Sequence, residues 1–219
     1  MKITEIRIAG LRGATPKGGW SEELEPENVV HTLVAIHTDE GLVGIGAVFT
    51  SEELVRASLE ILKPLLIGES AVEPERVSEK LHQNTFWLGR GGSITHTISG
   101  IDIALWDLRG KITGQSLIEM IGKRDSQEVT EIPVLASTHV FNANLDLEVE
   151  RHARYVKEGY IGFKIGMGKR GDARVGYELE RDINFVRDLR QAAGPDAWIM
   201  MDRGQSLNWT FEDAVKRVS

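Results

Sequence analysis

The sequence predicts two successive folds, an α+β unit built on an antiparallel sheet and then an α/β unit built on parallel strands. Three observations predict this order. Period-two stretches joined by a tight turn open the chain, helical stretches follow, and from Ile132 apolar strand-like runs alternate with helical runs.

The first unit is predicted from three strands, over Ile3 to Leu11, Val29 to Thr38 and Leu42 to Phe49. Asp39-Glu40-Gly41 has the composition of a hairpin turn, so the second and third strands are expected to pair antiparallel. Between the first two strands, Gly13 to Pro26 lacks periodicity and reads as a surface loop carrying Trp20. Helices are then predicted from Ser51 to about Leu66, from Pro74, and from Ile94 to Lys111 with Ser93 as its cap. In the last of these, Ile98, Ile101, Ile103, Leu105 and Leu108 surround much of the helix, which predicts broad burial.

The second unit follows a polar stretch, Gly122 to Glu131, and the expected domains are 1–125 and 126–219. Strands are predicted at IPVLASTHV, Ile161 to Ile165 and Ala197 to Met201. Helices are predicted over Leu145 to Glu158, Tyr177 to Ala192 and from Phe211. This alternation is the sequence form of right-handed βαβ units. It accommodates three βα units, whereas a (β/α)₈ barrel has eight and typically about 250 residues. The expectation is therefore the first part of a barrel, truncated here, with the remaining strands supplied by missing sequence or by another chain.

Composition narrows the function. A net charge of −7, with no extended run of Lys or Arg, argues against a nucleic-acid footprint. There is no cysteine, so any metal must be held by oxygen or imidazole. Neither an apolar leader core nor an 18-residue apolar run is present. The expectations are a cytoplasmic protein with no membrane partner.

Reacting groups in parallel α/β folds sit beyond the C-terminal ends of the strands, where loops converge. The three predicted strand ends offer Ser137, Thr138 and His139, then Lys164, then Asp202. A lysine inside Gly162-Phe163-Lys164-Ile165-Gly166 is hard to explain by packing and suits a general base, though it also suits a rim lysine paired with a carboxylate. Asp202 closes the apolar run AWIMMD and is a hard oxygen ligand of the type Mg²⁺ takes; the alternative is an N-cap for the next helix. Ser137, Thr138 and His139 are candidates for contacting substrate hydroxyls or a carboxylate, against a helix-capping role for the hydroxyls, the reading that is favoured. Arg203 should point opposite to Asp202. His31, His37, His82, His96 and His152 have no paired ligand spacing and are assigned structural places in the strands and helices of the first domain.

Three segments carry a family resemblance. IDIALWDLRGKITGQSLIEMIG resembles the helix leading from the capping domain into the barrel of the mandelate racemase group of the enolase superfamily. IGFKIG resembles the end of that group's Lys-x-Lys motif, and IMMDRGQSLNW its metal-binding Asp-x-Asn segment. The resemblance implies an enolase-like capping domain over a modified barrel, Mg²⁺, and abstraction of a proton next to a carboxylate. It assigns Lys164 as the base on one face of the substrate and Asp202 as the first of three metal ligands. Trp20 falls in the loop that closes the site in this group, and so becomes a candidate substrate contact, with anchoring of the loop on the barrel as the equal alternative. The chemistry implied is dehydration of a sugar acid to a 2-keto-3-deoxy acid, with racemisation, epimerisation or cycloisomerisation as alternatives and a non-catalytic paralogue as the contrasting class. A homo-oligomer is expected. Two positions depart from the group: Gly162 replaces the first lysine and Gly204 the asparagine.

Overall fold

A computed structural model describes residues 1–13, 28–124, 127–128, 131–168, 172–204 and 207–218. The chain divides into two compact units, Met1–Glu128 and Val129–Ser219.

In the first unit, β1 (Ile3–Gly10), β2 (Thr32–Thr38) and β3 (Val43–Val48) form an antiparallel sheet in that order. Every second residue of β2 is buried. Val34 and Ile36 enter the core, and the two threonines that share their face spend their hydroxyls on backbone carbonyls, Thr32 on Thr50 at 3.0 Å and Thr38 on Leu42 at 2.9 Å. A buried hydroxyl without such an acceptor costs ~1–3 kcal/mol, so these bonds let the alternation continue.

Of helices α1 (Glu52–Leu66), α2 (Pro74–Asn84) and α3 (Gly92–Thr113), the first and third cover the sheet and α2 packs on them. Ser51 caps α1 by accepting from the Leu54 amide, and Pro74 sits in the first turn of α2. Helix α3 begins before the expected cap: Gly91 holds the cap position, and Ser93 lies inside, where its carbonyl accepts from the Thr97 hydroxyl. Ile98, Ile101, Leu105 and Leu108 are buried as expected, but Ile103 is half exposed. Their burial is set by a close approach to β3: a β-carbon at Gly46 would stand 1.9 Å from the Gly100 carbonyl oxygen, so the helix backbone lies directly on the strand. From α3, Asp107 accepts from the Ile45 amide at 2.8 Å and Lys111 donates to the Val43 carbonyl at 2.8 Å. These bonds occupy the free edge of β3, which would otherwise offer unpaired backbone groups to another strand.

After α3, a short helix α4 (Leu117–Ile121) starts with a capping box between Ser116 and Glu119, and β4 (Lys123–Arg124) pairs antiparallel with β5 (Gln127–Glu128). The ribbon was not expected, and the segment likened to one linking helix is broken in two, because Gly114 ends α3 in the left-handed conformation before Ser116 caps α4. Both α4 and the ribbon are short and stabilised locally, the helix by its two reciprocal cap bonds.

The second unit has β6 (Leu135–His139), α5 (Leu145–Lys157), β7 (Gly162–Met167), α6 (Leu179–Ala193), β8 (Trp198–Arg203) and α7 (Phe211–Val218). The three strands are parallel, in the order β6-β7-β8. Phe163, Ile165 and Met167 point to the helix side and are buried with Phe185 and Leu189 of α6. On the other face Trp198 and Met200 are exposed. An antiparallel cap with helices and a partial parallel sheet with helices is the expected architecture. Among the described residues no helix is long and apolar enough to cross a membrane.

Candidate active site

Register places the candidate residues. Cross-strand partners share a face of the sheet. Ser137 pairs with Lys164 and Lys164 with Met200; one step nearer the strand ends, His139 pairs with Gly166 and Gly166 with Asp202. Ser137, His139, Lys164 and Asp202 therefore stand on the face away from α5 and α6. Lys164 reaches diagonally to Asp202, with Nζ 2.7 Å from Oδ2. The pair is open to solvent, the side chains being 39% and 51% exposed. An ion pair this exposed contributes ~0–1 kcal/mol, so stability is a poor reason for placing a lysine there.

Thr138 takes the other face, away from Ser137, Lys164 and Asp202. Its hydroxyl lies 2.7 Å from Nε2 of His152 on α5 and 3.2 Å from the Lys164 carbonyl. The capping role expected for the strand-end hydroxyls goes instead to Asn144, whose side chain accepts from the Asp146 amide at 3.0 Å. Asp202 likewise caps no helix: Thr210 and Asp213 exchange the bonds at the start of α7. Arg203 turns back to donate to the Leu207 carbonyl. Trp20 lies outside the described residues.

Behind this face lies a polar group that sequence reasoning missed. Glu148 is buried, and its Oε1 accepts from the amides of Phe141 and Asn142 at 3.1 and 3.0 Å, just past the end of β6. Arg151 stands 2.5 Å from the other Glu148 oxygen, in contact but without hydrogen-bond geometry there, and donates to the His139 carbonyl. His152 is fully buried, with Nδ1 2.6 Å from the Glu148 carbonyl. It belongs to α5 of the second unit, which corrects its assignment to the first domain. The signal was there as Glu, Arg and His at positions three and four apart, which brings them together on one stretch of a helix.

His152 makes stability pH-dependent. Burial, with Arg151 adding a smaller effect, lowers its pKa below the ordinary 6.5. The unfolded chain thus binds the proton more readily, so stability is full above that value and falls as pH drops through it towards the depressed folded value. Denaturant melts of the protein at pH 7.5 and 5.5 should show a loss on acidification that shrinks in His152→Gln. An equal loss in both would locate the acid sensitivity elsewhere.

Gly162, where the resemblance expects a lysine, is sealed. A β-carbon there would stand 2.0 Å from the carbonyl oxygen and 2.6 Å from the nitrogen of Trp198, both backbone atoms of β8.

With this geometry in place, the relatives are informative. Residues 26–122 match the mandelate racemase / muconate lactonizing enzyme N-terminal domain. That stretch is thus similar to the N-terminal domain of that family. The chain is 29% identical over 194 residues to an arabinonate dehydratase of Saccharolobus solfataricus, covering 87% of the chain and 48% of that protein. It is 28% identical over 213 residues to a D-galactarolactone cycloisomerase of Agrobacterium fabrum, covering 96% of the chain and 53% of that protein. Among solved structures, a racemase from Streptomyces coelicolor with bound magnesium superposes with a TM-score of 0.69 at 23% identity, over 98% of the chain and 58% of its own length. The chain thus spans about half the length of the curated relatives it matches.

A carboxylate at a parallel strand end is a fitting donor for a hard cation, and Asp202 is the sole acid on this face of β6, β7 and β8. Among the described residues, no group of three or more His, Cys, Asp or Glu side chains is placed to hold a metal ion. Asp202 fits Mg²⁺ as one ligand; a full coordination sphere needs others from outside these residues.

Proposed function

We propose that this chain carries the base and one metal ligand of a Mg²⁺-dependent enzyme that removes the proton α to the carboxylate of a polyhydroxy acid and then expels the β hydroxyl, giving a 2-keto-3-deoxy acid. One observation carries the reading: a lysine and an aspartate from neighbouring parallel strands meet at 2.7 Å on the open face, at the strand ends. Lys164 in its neutral form takes the α proton, which Asp202 cannot do while it serves as a ligand. Asp202 holds Lys164 towards the mouth of the site and would exchange that contact for the cation. Mg²⁺, when bound, supplies positive charge to the substrate carboxylate. Ser137, on the same face and paired with Lys164 in register, is the candidate for a substrate hydroxyl. The name of the arabinonate dehydratase relative supports dehydration. The cycloisomerase relative supports a second outcome after the same first step, in which an internal oxygen is the leaving group. Sealing of Gly162 speaks for a single lysine on this strand, and so for chemistry that needs one base on this side.

The test uses the protein purified from its own gene, with Mg²⁺ and a panel of pentonates and hexonates in D₂O. Exchange at the α carbon and formation of a keto acid are followed together by NMR. Exchange with keto-acid formation is the expected result. Absence of exchange with every acid, together with absence of Mg²⁺ binding, would place the protein among non-catalytic members of the fold.

A further inference from the structure

Gly166 has no side chain, yet the space above it is filled. A β-carbon at this position would stand 2.2 Å from Nδ1 and 2.5 Å from Cε1 of His139, so the imidazole edge rests on the Gly166 backbone. Because His139, Gly166 and Asp202 form one cross-strand row, the ring is laid from β6 across β7 in the direction of Asp202. Lys164 approaches the same row from one step deeper, through its bond to Asp202. Imidazole, ammonium and carboxylate from three consecutive strands thus surround one glycine. The ring's own strand cannot easily give way. Arg151 holds the His139 carbonyl from behind, and Glu148 holds the two amides at 141 and 142 that follow. A side chain at 166 would therefore have to displace the ring itself.

On this face of the three strands the titratable side chains are His139, Lys164 and Asp202. The dehydration proposed above needs three jobs done: a base for the α proton, a ligand for the cation and an acid for the departing hydroxyl. Lys164 and Asp202 take the first two. The third needs a group that carries a dissociable proton near neutral pH, and imidazole, with an ordinary pKa of about 6.5, is the side chain of that kind. Ser137, whose hydroxyl is a far weaker acid, does not suit it.

We infer that His139 is a further catalytic residue, the general acid that protonates the leaving β hydroxyl, and that Gly166 is the seat that admits its ring. The inference rests on the dehydratase reading. Lys164 removes the α proton, and the C–H electron pair enters the carboxylate system. As that pair returns to form the Cα–Cβ double bond, the Cβ–O bond breaks with its pair on oxygen. The imidazolium N–H bond gives its proton to that oxygen, so water leaves and neutral imidazole remains. The enol then takes a proton from solvent at Cβ and releases its α-hydroxyl proton to solvent, becoming the keto acid, and the lysine ammonium loses its proton to solvent as the imidazole regains one.

Four proteins made from the native gene test this: wild type, His139→Gln, Gly166→Ala and the double variant. Three readouts are taken on the acid the wild type dehydrates: α-proton exchange in D₂O, keto-acid formation, and elimination from its β-fluoro analogue, since fluoride departs without needing a proton. His139→Gln should lose keto-acid formation by about 10²–10⁴-fold, keep exchange, and approach wild-type rates on the fluoro analogue. Gly166→Ala should show the same profile, and the double variant should be no slower than His139→Gln alone. Because His139 is exposed, its replacement should leave folding intact even where Gly166→Ala does not fold. Normal dehydration by His139→Gln, loss of exchange along with dehydration, or equal losses on the hydroxy and fluoro acids would overturn the assignment. A wild type that exchanges no α proton would overturn the dehydratase reading, and this inference with it.

Discussion

Lys164→Ala is expected to lower turnover of the true acid substrate by about 10²–10⁴-fold, or about 3–5 kcal/mol of barrier, while Mg²⁺ binding survives. The sign of the metal effect follows from the 2.7 Å bond between Lys164 and Asp202. In the wild type the Lys164 ammonium competes with the cation for the carboxylate; the alanine variant removes that competitor. Calorimetric titration should therefore show Mg²⁺ bound at least as tightly. Lys164→Arg separates the two roles of the side chain. A guanidinium keeps the positive charge and can keep the contact with Asp202, but it does not give up its proton in a protein, so turnover should fall nearly as far as in the alanine variant. Alanine and arginine variants that both retain activity would remove Lys164 from the proton transfer. If Mg²⁺ affinity collapses in either variant, the lysine is holding the metal site together and is not acting on the substrate.

How much of this was legible in the sequence depended on the range of the interaction. Period and turn chemistry gave the three antiparallel strands and the alternation of the second unit, because each is written in residues a few positions apart. Element ends shifted by one to three residues where a competing cap took over, as Gly91 did from Ser93. Lys164 and Asp202 stood out because a charge ending or interrupting an apolar strand is anomalous locally. Ile103 was misread because α3 lies so close to β3 at Gly46 and Gly100 that the helix buries one side more deeply than its all-round apolar composition suggests. Thr138 was misplaced for a parity reason: a side chain one residue from Ser137 must face the opposite way, and once Lys164 and its register partner Ser137 are on the open face, Thr138 belongs to the helix side. The Glu148, Arg151 and His152 group and the seating of His139 on Gly166 depend on contacts between separate elements. Sequence spacing names the residues of such contacts but not their partners.

Gly162→Ala is expected to destabilise the second unit by at least ~1–3 kcal/mol, the usual cost of forcing extra volume into a packed site. The reason to expect the upper end is the identity of the obstructing atoms. At 2.0, 2.6 and 2.7 Å they are the oxygen, nitrogen and carbonyl carbon of Trp198, all backbone, so no rotamer change can clear them. The β7–β8 pairing itself would have to open at its first register pair, Gly162 with Trp198. The consequence reaches the chemistry. Restoring the lysine that the family motif carries at this position should fail: Gly162→Lys would meet the same backbone before its ammonium reached the site, and both stability and turnover should drop. Denaturant melts of wild type, Gly162→Ala and Gly162→Lys, with turnover measured on the same preparations, test this directly. A lysine variant as stable as wild type and faster in turnover would show that the strand accepts the second charge, and the single-lysine site would then be an accident of sequence with no structural cause behind it.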